Sequence, residues 1–88
     1  MTATRPVDIF TSPTCGYCHA AKRLLTQKGV AYREFDVTTD AAYRAEMLRR
    51  APGSRTVPQI FIGATHVGGC DDLYALEQAG KLDPLLAA

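Results

Sequence analysis

Two thiols three positions apart, Cys15 and Cys18, stand in the run Thr14-Cys15-Gly16-Tyr17-Cys18-His19. This C-x-x-C spacing suits two chemistries: attack of a thiolate on a disulfide, or ligation of a metal. An ordinary cysteine, with a pKa of about 8.5, is only roughly 3% ionised at pH 7. Thiols at helix starts in C-x-x-C motifs fall to between about 3.5 and 7.5. The cause is the helix N-terminus, whose unpaired N–H groups and dipole favour an anion. Cys15, nearer the expected helix start, is therefore the candidate nucleophile. Cys18, one turn further along the same face, is placed to reach back and close a disulfide.

The same residues admit other readings. Cys15-Gly16-Tyr17-Cys18-His19 also spells C-x-x-C-H, the attachment motif of c-type haem. Against haem stand the β-rich run Val57–Ile62 and the lack of an axial partner other than Met1 or Met47. A zinc site would need Cys15, Cys18, Cys70 and either His66 or His19, and there is no second close pair. The simplest role for His19 is a polar residue on an exposed helix face.

The elements that must position the dithiol follow from the pattern of the chain. Val7–Thr11 is β-branched and aromatic, a strand closed by the turn Ser12-Pro13. Tyr17, Ala21, Leu24 and Leu25 then fall on one face of a helix, which Lys28-Gly29 ends. Val30–Val37 reads as a second strand with poor alternation, Val30, Tyr32 and Glu34 on one side and Ala31, Arg33 and Phe35 on the other. Thr38-Thr39-Asp40 offers caps for a helix over Ala41–Arg50, pairing Tyr43 with Met47 and Ala41 with Ala45 and Leu48.

Ala51-Pro52-Gly53-Ser54 breaks that helix, and Val57–Ile62 reads as a strand with Pro58 at its start. Thr65-His66-Val67 returns as the second arm of a hairpin. Cys70 or Asp71 opens a third helix with Leu73, Leu76 and Ala79 inward, Asp71 and Asp72 at the positive end of its dipole, and Gly80 as the stop. Lys81–Leu86 adds a terminal turn. The order β-α-β-α-β-β-α predicts an α/β chain with the thioredoxin fold: a four-stranded mixed sheet flanked by helices, its first two strands parallel and its last two a hairpin.

Eighty-eight residues predict a single domain, 1–88, too small for a second lobe, so a large substrate must dock on its outside. A net charge of +1 gives no field to attract nucleic acid or an anionic membrane, and neither partner is expected. Met1–Pro6 lacks the apolar region of a signal peptide, and no run is apolar enough to span a membrane. A cytoplasmic protein is expected, and there an odd count of three cysteines is no disulfide scaffold. Arg44, Arg49, Arg50 and Arg55 cluster in one stretch, and Asp71, Asp72, Glu77 and Asp83 in another. Brought beside the dithiol, they would suit a small zwitterion.

Three motifs, Cys15-Gly16-Tyr17-Cys18, Thr56-Val57-Pro58 and Gly68-Gly69-Cys70-Asp71-Asp72, carry a resemblance to the small dithiol glutaredoxins of bacteria from Val7 to Leu86. They are similar to that family's C-P-Y-C, T-V-P and G-G-C-x-D. The resemblance implies glutathione-dependent reduction of protein disulfides and glutathione mixed disulfides, with Cys15 as nucleophile and Cys18 as resolving thiol. It implies that glutathione's cysteine pairs with the backbone of Val57, beside a cis Pro58. The N–H groups of Cys70 and Asp71 would hold the γ-glutamyl carboxylate, and Asp72 the ammonium.

The implied glutathione set also takes in Tyr17, Thr56 and Gly69, with Arg44 facing the glycine carboxylate. The thiol of Cys70 reads as a small buried hydrophobe. The implied partners are glutathione and disulfide-containing or glutathionylated proteins, and the implied state is a monomer. Two residues depart from the family pattern: Ser12 stands where many members have a lysine, leaving Arg44 or Lys22 to replace that cation, and Gly16 stands for proline. Some relatives with a small residue at the second position bind a 2Fe-2S cluster between two glutathione-bridged subunits through the first cysteine, which here is Cys15. A thioredoxin-like reductant that works without glutathione is the nearest rival, distinguished by whether thioredoxin reductase reduces the protein.

Overall fold

In the computed structural model, which describes residues 5–87, Val7–Thr11 forms β1 with all five residues buried. A strand paired on both edges and covered on both faces requires this. After it come α1 (Gly16–Gln27), β2 (Tyr32–Asp36), α2 (Ala41–Arg50), β3 (Gln59–Ile62), β4 (Thr65–Gly68), α3 (Cys70–Gln78) and α4 (Leu82–Leu86). The sheet order is β2-β1-β3-β4. β2 runs parallel to β1, with Val7 opposite Tyr32 and Thr11 opposite Asp36, while β3 is antiparallel to both β1 and β4. This is the thioredoxin-like mixed sheet that the element order predicts.

Strand alternation sends neighbouring residues to opposite faces and builds two cores. Ile9, Ile60 and Ile62 pack with Ala21, Leu24 and Leu25 of α1, Leu73 of α3 and Leu82 of α4. Phe10 and Phe61 pack on the other face with Val37, with Met47 of α2 and with Ala51. Asp8 shares that second face and is almost fully buried. Its carboxylate takes a two-pronged contact from Arg33, 2.8 and 3.0 Å, and a third hydrogen bond from Arg50 at 2.9 Å.

Several expectations need correction. The buried stripe of α1 is Cys18, Ala21, Leu24 and Leu25, whereas Tyr17 is 68% exposed. The i, i+3, i+6, i+7 spacing starts inside the first turn, so Tyr17 falls off its edge. β2 is shorter than Val30–Val37, and its poor alternation has a polar cause: Glu34, on the side of Tyr32, takes hydrogen bonds from Lys22 and Thr11, while Arg33 turns to Asp8. α2 has the expected bounds, yet of its apolar residues only Met47 is buried, and Ala41, Ala45 and Leu48 face solvent.

Pro58 precedes β3 rather than starting it, because a proline donates no ladder hydrogen bond. Ala79 is an exposed C-cap residue, not part of the inner face of α3. Lys28 is the C-cap of α1, followed by Gly29 at φ +72. The Lys28 ammonium sits 2.6 Å from Glu77 and 3.0 Å from Asp83, so it ties the end of α1 to α3 and α4.

Candidate functional site at the carboxyl end of β1

The sheet register brings three chain segments to one end. Phe10, one residue before the end of β1, lies opposite Gln59, the first residue of β3, and Ile60 lies opposite Gly68, the last of β4. The three connections that leave or enter there are Ser12–Cys15, Thr56–Pro58 and Gly69. They carry the three motifs singled out in the sequence, so strand pairing alone gathers them.

Cys15 is the N-cap of α1, extended at φ −91 and ψ 108, and its Sγ accepts the backbone N–H of Cys18 at 3.1 Å. This is a capping interaction made by sulfur, at the end of the helix where the dipole favours an anion. The thiol also lies 3.6 Å from the carbonyl oxygen of Val57, to which its S–H can donate. Cys15 is half-buried, while Cys18 is wholly enclosed. Burial pushes the Cys18 thiol up to about 12, reinforced by its hydrogen bond and charge interaction with Cys15. Two identical groups are thus separated into an accessible sulfur and a buried thiol that keeps its proton.

The Val57–Pro58 peptide is cis. Beside it opens a cavity of about 560 Å³, lined on one side by Tyr17, Thr56, Val57 and Pro58 and on the other by Gly69, Cys70, Asp71 and Asp72. Gly69 caps α3, and its N–H donates to Asp72 Oδ2 at 3.0 Å. Gly68 at φ +114 makes this turn, and a Cβ there would collide with the Asp72 carboxylate. The first-turn N–H groups of α3 have no intrahelical partner, which equips this wall for an anion. Cys70 is buried in it, and burial raises its thiol, helped by the charges of Asp71 and Cys15.

Arg44 is not among the residues lining this cavity. It lines a separate depression of about 450 Å³ with Val37, Thr38, Ala41, Ala45 and Leu48. Lys22 is engaged with Glu34 at 2.9 Å. The two charge clusters of the sequence are likewise divided among structural pairs: Arg49 with Glu46, Arg50 with Asp8, and both Glu77 and Asp83 with Lys28. Asp71 and Asp72 are the members that line the cavity.

The glutaredoxin family model matches residues 7–67. The chain belongs to the glutaredoxin family. It is 59% identical over 80 residues to glutaredoxin 3 of Escherichia coli K12, covering 91% of this chain and 95% of that protein. A crystal structure of a buckwheat glutaredoxin–glutathione complex superposes with a TM-score of 0.83 at 38% identity, covering 93% of this chain and 76% of the buckwheat chain. The holo form of glutaredoxin C1 from Populus tremula x tremuloides gives a TM-score of 0.81 at 37% identity, covering 93% and 76%.

As a glutaredoxin, the chain is a dithiol oxidoreductase whose C-x-x-C pair is Cys15 and Cys18. Family membership removes the haem reading. The zinc reading needs Cys70 and either His66 or His19 grouped with the Cys15–Cys18 pair. Among the described residues no three His, Cys, Asp or Glu side chains group to hold a metal.

Ser54, Gln59, His66 and Gly68 complete the cavity wall of this glutaredoxin; the sequence offered His66 only as a zinc ligand and Gly68 only as part of a motif, and gave Ser54 and Gln59 no site role. Gln59 did leave a trace, as the polar residue heading an otherwise apolar strand. Nothing in the sequence paired it with His66, because that contact depends on the hairpin register.

Proposed function

We propose that this glutaredoxin reduces glutathione mixed disulfides and protein disulfides at the expense of glutathione, with Cys15 attacking and Cys18 resolving. The observation that carries the proposal is the asymmetry of the pair: an accessible Cys15 sulfur that receives a helix N–H, and an enclosed Cys18 whose thiol is pushed up to about 12. Only a thiolate attacks, and it must reach the target sulfur.

With a glutathionylated protein, the Cys15 thiolate attacks the glutathione sulfur. The bond from Cys15 to glutathione forms as the substrate disulfide breaks, and the released protein thiolate takes a proton from water. A glutathione thiolate then attacks the bound glutathione sulfur, releasing oxidised glutathione and restoring the Cys15 thiolate. With a protein disulfide, Cys15 forms a mixed disulfide with the substrate. With Cys15 now in a disulfide and no longer beside it as a thiolate, Cys18 gives up its proton and attacks the Cys15 sulfur. The two substrate thiolates released take up that proton and one from water to leave as a dithiol. Two glutathione molecules then reduce the Cys15–Cys18 disulfide.

Glutathione fits the cavity by its chemistry. Its cysteine lies against the extended backbone at Val57, beside Thr56 and Pro58, with its sulfur toward Cys15. Its γ-glutamyl carboxylate takes the N–H groups of Cys70 and Asp71, and its ammonium faces Asp72, whose Oδ1 is free of the Gly69 cap. Tyr17 and Gly69 close the two sides. Arg44 joins this set only by reaching the glycine carboxylate from its separate depression. Support comes from the glutathione complex of the buckwheat protein.

The 88 residues act as one domain and as a monomer, on glutathione and on disulfide-containing or glutathionylated proteins. No helix among the described residues is long and apolar enough to cross a membrane, in keeping with a cytoplasmic role. A second reading is a 2Fe-2S cluster shared by two copies. A Cβ at Gly16 would meet nothing within 4 Å, and the poplar relative was solved as a holo form. Such a cluster takes four sulfur ligands, and Cys15, the one cysteine that is not buried, fits that need together with glutathione. Protein purified anaerobically without bound iron or visible absorbance would remove this reading.

Turnover of a glutathionylated peptide tests the main proposal. Cys15→Ser is expected to abolish it, while Cys18→Ser retains substantial activity. Equal loss in both variants would overturn the assigned roles.

A further inference from the structure

Gln59 is a buried polar side chain in the wall of the glutathione cavity, and both of its ends are engaged. Its Nε2 donates to the carbonyl oxygen of Thr56 at 3.0 Å, and its Oε1 lies 2.7 Å from His66 Nε2. The hydrogen positions follow from the partners. A backbone carbonyl only accepts, so the amide nitrogen of Gln59 must face Thr56 and its oxygen must face His66. That oxygen also only accepts, so His66 must carry its hydrogen on Nε2. The result is a directed chain in which His66 donates to Gln59 and Gln59 donates to Thr56.

The register of the hairpin makes the contact possible. His66 lies opposite Phe61, and Gln59 lies two residues before Phe61 on the same face, the diagonal position that long side chains can span. The imidazole is fixed by stacking on the Phe61 ring, with centroids 4.8 Å apart and planes at 22°. Phe61 is in turn covered by the Arg50 guanidinium at 4.2 Å from its centroid, and Asp8 holds Arg50 at 2.9 Å. The donor end of the chain is thereby anchored to the second core. Its acceptor end is the loop that presents Val57.

We infer that His66 and Gln59 are positioning residues for glutathione: through the Thr56 carbonyl they hold the Thr56-Val57-Pro58 backbone in the conformation that pairs with the tripeptide. The inference rests on the proposed seating of glutathione along that backbone. Neither residue takes part in the sulfur chemistry. Cys15 touches the same loop through the Val57 carbonyl, one residue beyond the carbonyl that Gln59 holds. The Cys15 sulfur is also held from outside the loop, by the Cys18 N–H at 3.1 Å at the head of α1, so loosening the loop weakens the grip on the glutathionyl group more than it alters the attacking sulfur.

The test is steady-state turnover of a glutathionylated peptide by His66→Phe, His66→Gln and Gln59→Leu. Phenylalanine keeps the stacking on Phe61 and removes the N–H donor, at a position exposed enough to leave folding intact. Glutamine restores a donor at a similar reach. Loss of one such hydrogen bond is expected to raise KM about 3- to 10-fold, with kcat within roughly 2-fold of the wild-type value. His66→Gln is expected to recover most of the lost affinity, and Gln59→Leu to match His66→Phe.

Wild-type KM in both His66→Phe and Gln59→Leu would overturn the positioning role while leaving the glutathione reading intact. So would a fall in kcat without a rise in KM. A wild-type enzyme that fails to saturate with the glutathionylated peptide, yet reduces other disulfides, would overturn the glutathione reading itself and this inference with it.

Discussion

Cys15, Cys18 and Cys70 carry the same functional group and lie in three different surroundings. Cys15 receives a helix N–H and is half-buried, Cys18 is fully enclosed, and Cys70 is buried at the start of α3. Burial raises the thiols of both Cys18 and Cys70, the former to about 12. Iodoacetamide at pH 7 is therefore expected to modify Cys15 in the reduced protein and to spare the other two, read by peptide mass. Equal labelling of Cys18 would contradict the division of roles. At this scale the sequence indicated which cysteine heads the helix, because the turn Ser12-Pro13 and the C-x-x-C spacing are local. It misjudged Tyr17, since a helical period gives a stripe without saying where the neighbouring element begins to cover it.

The elements are joined by polar links as well as by apolar burial. Asp8 in β1 binds Arg33 of β2 and Arg50 at the end of α2, the helix that precedes the Thr56–Pro58 loop. Burial pushes the Asp8 carboxyl up, and the hydrogen bonds and charges of Arg33 and Arg50 outweigh it, so that it lies below the ordinary aspartate value. A carboxyl lowered in the folded state contributes stability above its unfolded value of about 3.9, and that contribution is lost as pH falls through the lower folded value. Thermal unfolding is expected to show Tm declining from about pH 4 downward. Asp8→Ala should flatten part of that decline and cost about 1–3 kcal/mol near neutral pH, less than a fully buried pair because Arg33 stays largely in water. A Tm that varies with acid identically in Asp8→Ala and wild type would contradict this.

The bounds of α2 were legible from Asp40 and the Ala51–Ser54 break. Its burial was not, because α2 carries little apolar surface beyond Met47, and the contacts that hold it include Arg50 reaching Asp8 and Phe61. The same reach explains why Arg50, which clusters in the sequence with Arg44, Arg49 and Arg55, takes a structural role instead of lining the cavity. Its partners lie 42 residues and 11 residues away in the chain, and only the folded sheet brings them together.

At the scale of the molecule, a two-faced sheet puts its chemistry where the ends of β1, β3 and β4 converge. The fold was readable because the turns and the apolar runs, with β2 the poorest of them, agreed with the same β-α-β-α-β-β-α order. The cavity was only half readable: its motif residues could be named, whereas Gln59 and His66 become part of it through strand register. The central claim is that Cys15 is a sulfur facing a seated glutathione. Its most direct test is to expose Cys18→Ser to oxidised glutathione and measure the intact mass and the site of modification. A single glutathione adduct on Cys15 is the expected result. An adduct on Cys70, or an unmodified protein, would contradict it.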